Sequence, residues 1–144
     1  MIYLFHTITL AFIIYELMWV LTPNKQTEKT RKLINLGKLN EGKKWDEYSE
    51  EYKSLLKSKG CASVFILMWM LLGLFTFNWV AFLAFLILEM VVFFPLSKSL
   101  RETGYFALIH WINSVVGLVF GLFVLINEIH LRIDLYELVI TLIN

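Results

Sequence analysis

Glu16, Glu89, His110 and Asn113 each interrupt a long run of apolar residues. A charged group at the middle of a membrane helix costs about 2.5–3.5 kcal/mol. Groups kept there mark ion paths, proton relays or clasps between helices. Two carboxylates and an imidazole can gain and lose protons, and carboxylate and amide oxygens can replace the hydration shell of a cation. The chemistry these four residues point to is therefore proton exchange or cation binding within a bilayer.

Spacing extends two of these positions into stripes. His6, Thr9, Ile13 and Glu16 share one helical face, and His110, Ser114, Gly117, Gly121 and Glu128 trace another. If the two faces meet, a polar seam runs through most of the bilayer. Gly117 and Gly121 form a GxxxG pair with Ser114 on the same side, which lets helix backbones approach closely. The structural alternative is a set of hydrogen bonds that only fasten helices together. No HExxH or CxxC spacing supports a metal site, and no phosphate loop, dinucleotide fingerprint or nucleophile elbow appears. No cofactor is expected. The single cysteine, Cys61, excludes an internal disulfide.

The elements that must carry these residues follow from hydropathy. Of 144 residues, 58% are hydrophobic and 16% aromatic, more apolar surface than a water-soluble domain of this size hides. A hydrocarbon core about 30 Å thick needs roughly 20 apolar helical residues. Residues 2–21 meet that length, with Pro23 as a stop. They lack the basic start and small-residue cleavage site of a secretory signal, so a retained span is expected. Residues 61–96 are too long for one span and divide at a hairpin near Phe75–Trp79, with Asn78 as its polar tip. This gives spans of 61–76 and 79–96, and a fourth covers 105–126. At a rise of about 1.5 Å per residue, Glu16, Glu89, His110 and Asn113 all fall within about 8 Å of the bilayer centre on one side.

Charge supplies the orientation. Residues 22–59 hold ten of the thirteen basic residues, and Lys98 and Arg101 lie between spans three and four. The positive-inside rule places both connections in the cytoplasm and both termini outside it, in a plasma or bacterial inner membrane. Trp45, Tyr48, Tyr52 and Leu55 recur at intervals of 3, 4 and 3, which predicts a helix over 42–59 ending at Gly60. That stripe suits the membrane surface or a docked partner. Leu33, Ile34 and Leu36 hint at a shorter helix before Gly37. Glu41, Asp46, Glu47, Glu50 and Glu51 break up the basic character, so nucleic acid is not an expected partner.

The C-terminal segment 128–144 reads as an amphipathic helix. Asn127, His130, Asp134, Glu137, Thr141 and Asn144 form its polar stripe, and Glu128 and Arg132 stand four apart for a helical pair. Alternation over Ile129–Leu135 also permits a strand. The fold class expected is all-α: a four-helix transmembrane bundle with a cytoplasmic helical insertion after the first helix and an amphipathic C-terminal helix.

Size, span number and the long first loop are similar to those of membrane-bound glutathione and eicosanoid enzymes. Cys61 to Phe77, however, lacks the charged signature that family carries around its second span. Glu16 resembles the first-span glutamate of small multidrug transporters, which have no 38-residue first loop. Neither likeness reaches a motif. The expected function is a non-enzymatic membrane subunit or oligomeric transporter-like unit, with lipid, copies of itself or a larger membrane complex as partners. The alternatives are an intramembrane enzyme acting on a lipid-soluble substrate, and a scaffold docking through 42–59.

Overall fold

The computed structural model describes residues 2–143, which form six helices and, among the described residues, no strand. Helix α1 is Ile2–Leu21 and α2 is Pro23–Leu39. A 3₁₀ turn at Trp45–Glu47 leads to α3, Glu50–Gly73. Helices α4, Trp79–Ser99, and α5, Phe106–Leu131, follow, and α6 is Leu135–Ile143. Helices α1, α3, α4 and α5 are each long and apolar enough to cross a membrane. Asn144 lies outside the described residues.

Several boundaries differ from those expected. Helix α1 does end at Leu21, before Pro23, but the proline also opens α2 as its first residue, where its missing N–H has no helical partner to lose. The helix expected at 42–59 starts only at Glu50, where the Ser49 hydroxyl accepts the Tyr52 N–H at 3.3 Å. It then runs through Gly60 rather than ending there. An unbroken helix keeps every backbone group hydrogen-bonded as the chain enters an apolar medium. Trp45 lies in the 3₁₀ turn before it.

Helix α4 contains a π-turn at Glu89–Phe93, in which the Phe94 N–H donates to the Glu89 carbonyl. Pro95 explains it: a proline has no N–H for the carbonyl four residues back, and the ladder is rewired just before it. Helix α5 passes the expected end at 126 and closes in a second π-turn, Asn127–Leu131. Arg132 then takes a left-handed conformation (φ 49°), and its N–H donates to the Asn127 carbonyl at 2.9 Å. This turn replaces both the strand and the Glu128–Arg132 pair allowed by the spacing. Asp134 starts α6 by accepting the Tyr136 N–H at 2.9 Å.

The centre of the bundle is aromatic. Phe12 stacks on Trp69 with centroids 3.8 Å apart. Phe82 meets Trp69 edge-on at 5.0 Å, and Phe120 meets Phe82 at 5.1 Å. Trp69 is fully buried, and its indole N–H donates to the Thr9 hydroxyl at 2.9 Å. Helices α1 and α5 pack through the small residues: Gly121 faces Ile13 and Phe12, and Gly117 lies under Glu16. The GxxxG face is thus covered within the chain. Gly73 takes the Phe82 ring directly against its backbone, which joins α3 to α4.

Helix α2 folds back on the bundle. Lys32 pairs with Glu51, and the Tyr52 hydroxyl rests against Gly37. The Glu51 carboxylate holds the Lys32 ammonium pKa above its ordinary value. Arg31 donates to the Thr103 carbonyl at 3.0 Å, and Lys38 to Glu102 at 3.1 Å. These two contacts put the two basic connections at the same end of the molecule.

Candidate functional site

Glu16, Glu89, His110 and Asn113 line one cleft of about 370 Å³. They arrive from three helices. Glu16 stands on α1, where the absence of a side chain at Gly117 leaves room for its carboxyl group; a Cβ there would lie 3.1 Å from the Glu16 Cδ. Glu89 opens the π-turn of α4. The extra residue in that turn shifts the register of the side chains beyond it, a distortion common at functional sites. His110 and Asn113 lie one turn apart on α5, with the buried Ser114 beside them.

The polar groups are only partly satisfied. The Asn113 amide N–H donates to Glu89 Oε2 at 3.3 Å, while the Asn113 Oδ1 is shielded and has no hydrogen-bond partner. His110 Nε2 lies 3.1 Å from the Ser97 hydroxyl, and its ring stacks on Trp19 at 5.4 Å. Among the described residues, no hydrogen bond joins Glu16 to Glu89 or to His110. An unmet amide oxygen beside a carboxylate is an acceptor pair open to a donor or a cation.

Lys59 also lines the cleft, and its ammonium sits 5.5 Å from the centroid of the Trp19 ring, a cation–π distance. Reading Gly60 as a helix stop assigned Lys59 to the preceding loop. On a continuous α3, Lys59, Ser63, Ile66 and Met70 fall at intervals of 4, 3 and 4 and share the cleft face. Ser97, which places the His110 ring, sits beyond the end expected for the third span.

The polar seam expected along α1 and α5 does not run through. Ile13 and Phe12 fill the space over Gly121, and the Trp69, Phe82 and Phe120 rings close the centre. Glu128 belongs to a separate network at the opposite end. Its Oε1 accepts from Asn78 Nδ2 at 2.8 Å, and Asn127 Nδ2 donates to Asn78 Oδ1. Asn127 also exchanges hydrogen bonds with the backbone of Ile133, at 3.0 and 2.9 Å. Asn78, Asn127 and Glu128 are all buried. Asn78, in the hairpin before α4, is therefore the centre of a buried clasp.

Trp45, Tyr48 and Tyr52 form a ladder of tilted rings with centroids 5.6 and 5.1 Å apart. Tyr52 is turned toward Gly37 of α2, while Trp45 is half exposed. No family model matches this chain, and neither the curated proteins nor the solved structures contain a match to it.

Proposed function

We propose that this chain is a non-enzymatic, multi-pass membrane protein that holds a proton or small cation at Glu16 and Glu89, as a transporter-like unit or as a subunit of a larger assembly. One observation carries this reading. Glu16, Glu89, His110 and Asn113, from three separate helices, line a single cleft that contains an unpartnered amide oxygen. A pure clasp would use its polar atoms on one another, as the Asn78–Asn127–Glu128 network does.

In purified protein reconstituted into vesicles with an internal pH dye, an imposed pH or cation gradient should drive a flux. Glu16→Gln and Glu89→Gln should each reduce it at least tenfold, the scale of losing a group that carries the charge. Equal flux in the wild type and both variants rejects the proposal.

A second reading rests on the cleft's rim. Leu67 and Met90 line it and are 54% and 61% exposed, which supports sideways entry from the lipid. An intramembrane enzyme would use the same carboxylates as acid and base on a lipid-soluble substrate. Turnover of an added lipid without flux would select that alternative.

A further inference from the structure

A second polar cavity, of about 440 Å³, lies between α2 and the connection from α4 to α5. Arg31, Ile34, Asn35 and Lys38 line it from one face of α2, and Arg101 and Glu102 line it from the connection. Three of these side chains are cationic and one is anionic. The cationic groups have donors to spare. Arginine carries five N–H donors and lysine three. For Arg31 the contact is one hydrogen bond to the Thr103 carbonyl, and for Lys38 one to Glu102. The Arg31 guanidinium is also held 6.0 Å from the centroid of the Phe106 ring, which fixes its position. Ser99 ends one candidate span and Phe106 begins the next, so the cavity sits where a bilayer's headgroups begin.

From these contacts we infer that the groove binds a phosphate-bearing anion, and its height on the molecule points to the headgroup of an anionic phospholipid. Arg31 and Arg101 hold the phosphate oxygens, a task suited to guanidinium forks. Glu102 competes with the anion and holds Lys38 away from it. Basic pockets at this depth between membrane helices recognise anionic headgroups by this chemistry. The site is separate from the Glu16–Glu89 cleft and does not depend on its function.

The test uses the full chain in neutral detergent, titrated with phosphatidylglycerol, phosphatidylcholine or sodium phosphate, with lipid occupancy read by native mass spectrometry and stability by thermal unfolding. The wild type should retain phosphatidylglycerol roughly tenfold better than phosphatidylcholine, and Arg31→Gln/Arg101→Gln should lose that preference. Lys43→Gln/Lys44→Gln, an equal change of charge outside the groove, should keep it. Glu102→Gln should bind several-fold tighter, a gain that damage to the fold does not produce. Stabilisation by sodium phosphate equal to that by phosphatidylglycerol would assign the groove to free phosphate, and no effect of the salt assigns it to the lipid. The inference fails if the wild type does not distinguish the two lipids, or if both double variants lose the anionic lipid equally. Should Arg31→Gln/Arg101→Gln not fold, Glu102→Gln decides, and unchanged or weaker binding there overturns the site.

Discussion

Polar side chains in this molecule fall into two groups with opposite hydrogen-bond accounting. In the Asn78–Asn127–Glu128 network, Asn127 meets Asn78 and both backbone groups of Ile133. Truncating Asn127 strands the buried Asn78 amide and both backbone groups of Ile133 at once. Asn127→Ala should lower stability by about 1–3 kcal/mol, the cost of a buried unmet group, measured as thermal unfolding in detergent. Because Asn78 shares the network, Asn78→Ala/Asn127→Ala should cost clearly less than the sum of the single variants; strict additivity would show that the two act independently. The carboxylates of the cleft were legible in the sequence because charge is rare inside apolar runs. Asn78 and Asn127 were not. Each stands at the end of a span, where polar residues normally meet water, and they are joined across 49 positions with no local pattern to announce it.

At the level of helices, the glycines separate into those that carry packing and those that do not. Gly73 has the Phe82 ring against its backbone, while a Cβ on Gly60 would meet open space. Gly73→Ala should therefore destabilise by about 1–3 kcal/mol through overpacking. Gly60→Ala should stabilise by up to about 1 kcal/mol through helix propensity. Chemical denaturation of both variants in one detergent measures the contrast, and equal responses would contradict the α3–α4 contact. The same pair shows what sequence could reveal about helices. Four apolar stretches followed from length and hydropathy alone. The boundaries were harder: Pro23 marks the end of α1, but Gly60, an equally ordinary stop signal, lies inside α3. Continuous hydrogen bonding overrides the glycine, while the proline both follows the end of one helix and starts the next. The π-turn at Glu89 has a visible cause in Pro95, whereas the one at Asn127 has no such marker.

For the whole molecule, the contacts from Arg31 to Thr103 and from Lys38 to Glu102 fix the two basic connections at one end without recourse to the charge rule. In a Cys61→Ser background, Lys43→Cys and Arg101→Cys should react with an impermeant thiol reagent from the same face of sealed vesicles. Labelling from opposite faces would refute the arrangement. The Glu16 cleft lies on that side of the ring cluster around Trp69, which separates it from the buried Glu128 carboxylate at the other end. Electrically, such a closely packed apolar waist is an insulator: with the chain set in a bilayer, a transmembrane voltage would drop across it. Any rearrangement that carries a charge from Glu16 past Trp69 crosses most of that drop, worth about 2.3 kcal/mol per 100 mV. Vesicles containing the resting protein should hold an imposed potential, and turnover, where it occurs, should depend steeply on voltage.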